Sequence, residues 1–212
     1  MTTLSETHKK NELIKKQRKE SIDDLLTRQE KILNYVFKHK IAKSSQIYRD
    51  CMHEVHISNA YKTIARLCKN GLLIKNTLFE KKHPFFTYSI SQKGLLFLKE
   101  ISYYEITKPV LKSQSPRHDL KLLDIVETLK KSQSISEIIT ENVLQSCKEI
   151  QYDPVLFHFY YMKSDAFIKY PAEDFTLKFA LEYERTLKSR SRYVEKFKRY
   201  YERQPVHAIL SS

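Results

Sequence analysis

Gly71 is one of only two glycines in 212 residues, and it stands directly after Asn70 at the end of a run with helical spacing. A left-handed residue is a common stop for a helix, and glycine adopts that conformation without a Cβ penalty. The spacing predicts a helix over 58–70 with Ala60, Tyr61, Ile64, Ala65 and Leu67 inward. Upstream, Thr27 followed by Glu30 is a capping-box signal, and Ile32, Leu33, Val36 and Phe37 follow at helical spacing. A short helix over 44–50 is predicted between them, capped by Ser44, with Ile47 and Tyr48 as its packing residues. Downstream, residues 72–79 and 85–90 are rich in strand formers around a charged turn at 80–84, which predicts a hairpin. Ser91 then caps a further helix, QKGLLFLKEI. The predicted order is helix, helix, helix, hairpin, helix, preceded by a polar, Lys-rich arm over 1–24.

Charge divides the chain further. Residues 1–110 hold 21 Lys and Arg against 11 Asp and Glu, whereas residues 111–184 hold 9 against 12. Residues 185–203 then hold 8 against 2. Two basic regions flanking a mildly acidic one suit two polyanion-contacting surfaces around a site that holds carboxylates. The competing explanation, a generally Lys-rich composition, accounts less well for the clustering. With 41% hydrophobic and 30% charged residues the chain reads as globular. No apolar run reaches the length of a membrane span. The opening MTTLSETHKK has no signal-peptide core, so a cytoplasmic location without membrane contact is expected. Cys51, Cys68 and Cys147 lie far apart, as buried thiols in a reducing compartment would.

The phrase SNAYKTIARLCKNGLL (58–73), inside the order just derived, resembles the recognition helix and first wing strand of the winged helix-turn-helix superfamily. That resemblance spans about residues 27–101 and implies a duplex-DNA partner. Ser58, Asn59, Lys62, Thr63, Arg66 and Lys69 lie on the side of the helix that its apolar residues leave free. Such a face fits the major groove, with the N-terminal side chains nearest the bases. Lys75, Lys81, Lys82 and His83 of the wing would reach phosphates, which position without specifying. A solvated face used for protein contact is the alternative.

KPVLKSQSP within residues 106–116 reads as a linker, and HDLKLLDIVETLKK (118–131) as a strong amphipathic helix. Residues 132–150 suggest a strand and a short helix. Residues 155–162 and 166–170 are β-type runs, with a turn over 171–174. Over 175–184 the alternation puts Phe175, Leu177, Phe179, Leu181 and Tyr183 on one face and Thr176, Lys178, Ala180, Glu182 and Glu184 on the other. Asp165 opens the preceding strand, so three carboxylates are expected to meet at one sheet edge. Residues 185–203 predict a basic helix in which Tyr193, Phe197, Tyr200 and Tyr201 pack, while Arg190 and Arg192 clamp a phosphate backbone and aromatic rings can stack on unpaired bases.

An acid opening one strand and an acidic pair on the next resembles the PD-(D/E)XK nuclease fold. More particularly, the chain resembles the replication-relaxation family of plasmid and mobile-element proteins, including mobilisation C-class relaxases. The matching segments are the winged-helix region, His118-Asp119, Ser164-Asp165-Ala166 and LEYERTLKSRSRYVEKFKRYY (181–201). The resemblance implies an α/β (α+β) chain divided into an arm (1–24), a winged helix (25–105), a linker (106–116) and a small nuclease-like domain (117–212). It implies Mg²⁺ or Mn²⁺ held by Asp165, Glu182 and Glu184 for phosphodiester transfer at a plasmid origin, with duplex or nicked single-stranded DNA as substrate. Two departures stand out: Ser164 occupies the place of the expected proline, and Glu184 that of the nuclease lysine. A migrated lysine (Lys188, or else Lys178 or Lys196) would then assist the transition state. A tyrosine nucleophile, as in other relaxases, is a further option among fourteen tyrosines. His53-Glu54-Val55-His56 has the wrong spacing for a zinc or paired-histidine motif and reads as the turn before the third helix. Expected partners are DNA, a second copy of the chain and other mobilisation proteins. The competing function is a non-catalytic regulator or replication initiator whose C-terminal part is a degenerate nuclease fold or a dimerisation module.

Overall fold

The computed structural model describes residues 27–80, 83–102, 105–109, 111–172, 175–184 and 189–202, a mixture of helix and sheet. The expected arm over 1–24 lies outside them. The first helix, α1 (Arg28–His39), starts at the predicted capping box: the Thr27 hydroxyl accepts the Glu30 N–H, and Glu30 accepts the Thr27 N–H at 2.6 Å. A two-residue strand β1 (Ala42–Lys43) leads into α2 (Ser44–Cys51), whose N-cap is Lys43 rather than Ser44. Gln46 explains the difference, because its side-chain oxygen accepts the Lys43 N–H at 2.9 Å.

Helix α3 (Ile57–Lys69) is followed by the strands β2 (Leu73–Glu80) and β3 (His83–Ile90), then α4 (Gln92–Ile101). The first sheet is antiparallel in the order β1-β3-β2. Both glycines serve the corner where these elements meet. Gly71 has φ +72°, and the Gly71 and Leu72 N–H groups bond back to the Cys68 and Leu67 carbonyls, which closes α3. Gly94 sits so close to the residue before β2 and to the end of β3 that a Cβ would fall 2.2 Å from the Leu72 carbonyl oxygen. The Ser91 hydroxyl links the two by donating to Gly71 O at 2.5 Å and accepting the Gly94 N–H at 2.9 Å.

The C-terminal half begins with α5 (Pro116–Lys130) and continues through β4 (Glu137–Thr140), α6 (Glu141–Ser146) and α7 (Lys148–Tyr152). The run 155–162, expected as a strand, is instead a helix, α8 (Pro154–Met162). Asp153 accepts the Val155 and Leu156 N–H groups at 2.8 and 3.0 Å, Pro154 is preset for the first turn, and Lys163 closes the helix in the left-handed conformation. The strands β5 (Ala166–Pro171) and β6 (Thr176–Leu181) form a hairpin as expected, and α9 (Arg190–Glu202) follows. The second sheet is antiparallel, β4-β5-β6. One face packs on α5 through Leu122, Val126 and Ala166, and the other meets α8 where the Phe159 and Phe167 rings lie 4.8 Å apart. No helix among the described residues is long and apolar enough to cross a membrane.

The core does not stop at the segment between the halves. The cluster holding Leu33, Val36 and Phe37 continues through Leu123, Ile139 and Leu144. Ile106 is buried and bridges to Cys147, while the Leu111 N–H donates to Asn142 Oδ1 at 2.9 Å. Asn142, fully buried, donates to the Phe37 carbonyl at 2.6 Å, and His39 donates to Glu127 at 2.8 Å. Cys147 is buried and its thiol is pushed up to about 12 by that burial, as an inert thiol would be.

Candidate nucleic-acid interface and carboxylate cluster

Helix α3 buries only a narrow stripe, Ala60, Ile64 and Leu67, leaving most of its circumference uncovered. Ser58, Asn59, Lys62, Arg66 and Lys69 are exposed, as the spacing predicts, whereas Thr63 is half-buried and its hydroxyl donates to the Asn59 carbonyl at 2.9 Å. Tyr61 and Ala65, expected inward, face outward, and Tyr61 is 44% exposed. Residues four apart share one face, so Ile57, Tyr61 and Ala65 form an exposed apolar stripe beside Ser58, Lys62 and Arg66. The helix carries three basic residues and no acidic one. Among the described residues no ion pair takes Lys62, Arg66 or Lys69. His56 of the rejected histidine pair is the N-cap of this helix, with Nδ1 3.3 Å from the Ser58 N–H it accepts. A cap of that kind carries no signal in residue spacing.

The hairpin beside α3 exposes Phe79 and Phe86, and Lys75 holds its ammonium 3.5 Å from the Phe86 ring centroid. His83 is exposed; Lys81 and Lys82 lie outside the described residues. Arg190 and Arg192 are exposed in the first turn of α9. That helix is anchored to the C-terminal half, because Tyr200 bonds Ser164 and Glu182 and its ring meets that of His158. Phe197 and Tyr201, expected to pack, are exposed.

Asp165 and Glu182 come together as the hairpin of β5 and β6 requires, but protein groups already engage both. The Tyr183 N–H donates to Asp165 Oδ2 at 2.7 Å, and His118 Nε2 lies 3.8 Å from the same oxygen while donating to the Tyr183 carbonyl at 2.7 Å. Burial, with the negative Glu182 nearby, pushes the Asp165 carboxyl up to about 6 against the pull of the Tyr183 N–H and His118. Lys196 donates to one Glu182 oxygen at 2.6 Å and the Tyr200 hydroxyl to the other. The buried Ser164 hydroxyl donates in turn to Tyr200 at 2.6 Å. Burial and the Glu182 bond both raise the Tyr200 hydroxyl's pKa, which makes it a poor nucleophile. Lys40, at positive φ after α1, reaches Glu141 and lies 3.6 Å from Asp119, which His118 Nδ1 faces at 3.2 Å. Glu184 is half-buried, with interactions of its own, and Lys188 lies outside the described residues. Among the described residues no group of three or more His, Cys, Asp or Glu side chains is arranged to hold a metal ion.

Lys196, one of the three lysines the sequence offers for this site, pairs with Glu182, whereas sequence reasoning missed Lys40, Ser164 and Tyr200 as partners of the acids. Their signal is long-range and has no local pattern. No protein-family model, curated protein or solved structure matches the chain.

Proposed function

We propose that this chain is a non-catalytic, winged-helix DNA-binding protein of the cytosol, a regulator or replication initiator whose C-terminal half braces the DNA-reading half. One observation carries the reading: α3 offers a broad exposed face with Lys62, Arg66 and Lys69, no carboxylate, and short polar side chains at its N-terminal end. A polyanion neutralises such a face, and a helix of this width enters the major groove. Ser58 and Asn59 supply base-edge hydrogen bonds, Tyr61 and Ala65 suit apolar contact with thymine methyls, and Lys75 with His83 of the wing meets phosphate. Arg190 and Arg192 would extend the phosphate contact on the C-terminal half.

The relaxase-like reading, with Mg²⁺ or Mn²⁺ on Asp165, Glu182 and Glu184, fits the donor set poorly. A divalent ion wants several free oxygens converging on it. Here the Glu182 oxygens hold Lys196 and Tyr200, and Asp165 accepts a backbone N–H. No catalytic step is therefore assigned to these acids. The test is selection of duplexes from a random pool by the full chain, followed by affinity against salt concentration. A recovered motif with a steep salt slope supports the proposal. Absence of duplex binding at micromolar protein in about 50 mM salt overturns it.

A further inference from the structure

We propose that β6 is the self-pairing edge of a two-fold dimer, so that two copies of the chain join their three-stranded sheets into one six-stranded sheet. Among the described residues no strand lies on the outer side of β6, and all five residues from Phe175 to Phe179 are exposed. Phe175 is 60% exposed, Leu177 38% and Phe179 46%, and they share one face. Tyr170, opposite Leu177 on β5, extends that apolar face. An edge strand with this much uncovered apolar surface invites pairing.

The free edge presents the right backbone groups. Pro171, which has no N–H, pairs with Thr176, and the Ala172 N–H donates to the Phe175 carbonyl at 2.7 Å. Residues 175, 177, 179 and 181 therefore turn their N–H and C=O toward β5, and Thr176, Lys178 and Ala180 turn theirs outward.

A second copy fits this edge because Phe-Thr-Leu-Lys-Phe (175–179) has the same polarity read in either direction. An antiparallel pairing with its dyad at Leu177 sets Leu177 against its own image and Phe175 against Phe179 of the other copy. Those are non-hydrogen-bonded positions, where opposite side chains approach most closely. Thr176 and Lys178 face each other across the outward hydrogen-bonded positions. Moving the dyad to Lys178 would oppose that residue to its own image, a like-charge pair that destabilises.

Sedimentation equilibrium of the full chain without DNA tests the inference, and its outcome is independent of the DNA-binding proposal. The 25.3 kDa chain should shift from monomer to dimer with a dissociation constant on the order of 10 μM. Leu177→Lys and Leu177→Glu, each at an exposed position, should each weaken self-association at least about 100-fold by placing like charges at the dyad. Mixing the two should restore a dimer that contains one of each, because only this register sets residue 177 against itself. Thr176→Pro, which removes an outward N–H from the first residue of an edge strand, should also weaken the dimer, and it stands in if either charged variant does not fold. A wild-type monomer at about 100 μM, dimeric charged variants, or no rescue on mixing would each overturn the proposal.

Discussion

The α3 face and the polar cluster around Asp165 are built from the same side-chain chemistry but differ in where each charge is answered. On α3, Lys62, Arg66 and Lys69 stand exposed with no ion-pair partner among the described residues. Around Asp165, Lys196 answers Glu182, Lys40 answers Glu141 and Asp119, and His118 stands beside Asp165. Charges answered inside the fold hold it together, and charges left on the surface are available to something outside it. A count of acids and bases along the chain cannot tell these two cases apart.

Breaking the internal side should have the largest effect. Lys40→Met leaves Glu141 and Asp119 without their cation in a site where all three side chains are mostly buried. A loss of about 3–5 kcal/mol in urea unfolding is expected. A change under about 1 kcal/mol would mean that the network is solvated and contributes little.

On the external side, Lys62→Ala with Arg66→Ala should weaken duplex binding about 30- to 100-fold and lower the log–log salt slope by about two. Thermal stability should stay unchanged, because neither side chain has a described ion-pair partner. An unaltered affinity and slope would remove α3 from the interface.

Asp165 sharpens the comparison through pH. Its folded pKa of about 6 lies above the usual carboxylate value. The folded state therefore takes up its proton first as pH falls, and the cost of burying the charge is fully felt only above about pH 6. Asp165→Asn removes that cost while keeping an acceptor for the Tyr183 N–H. It should stabilise the protein by about 1–3 kcal/mol at pH 8 and by almost nothing at pH 4. Glu127 works in the other direction. Burial opposes its charge, but the His39 bond and Lys130 hold it down to about 2. Its contribution is present above about pH 4.5 and is lost as pH falls toward 2. Equal stabilisation by Asp165→Asn at both pH values would show that burial of the charge is not the cause.

The smallest effect expected is that of a divalent cation. With both oxygens of Glu182 engaged, millimolar Mg²⁺ or Mn²⁺ should move the melting temperature by less than about 1 °C. A rise of several degrees that Glu182→Gln abolishes would restore the metal-dependent nuclease reading.

Local chemistry made much of this fold legible in the sequence. Thr27 with Glu30, Gly71 and Ser91 mark element ends through short-range hydrogen bonds that residue types alone announce. Helix α8 looks like a strand in the sequence because VLFHFYYM has no polar spacing to reveal its period, although Asp153-Pro154 carries the start signal. Tyr61 and Ala65 stay outside the core because apolar residues adjacent to a buried stripe need not join it. Of the acidic site, the meeting of Asp165 and Glu182 followed from strand alternation and a hairpin. Lys196 is one of three lysines the sequence offers for that site, but Lys40 and Tyr200 as partners are not legible, since they arrive from other elements.

The bonds that join the halves also set a schedule. Phe37 and Lys38 receive their hydrogen bonds from Asn142 and Thr140, residues separated from them by 105 and 102 positions. A ribosome adding about 5–20 residues per second delivers those donors roughly 5–20 s after α1 has emerged. Until then the end of α1 must wait with only the local Lys40 N–H bond to the Phe37 carbonyl and with its apolar face partly uncovered. Contacts so distant along the chain also slow folding. For this protein the interval between making the first helix and completing it is a period of exposure to chaperones and to aggregation.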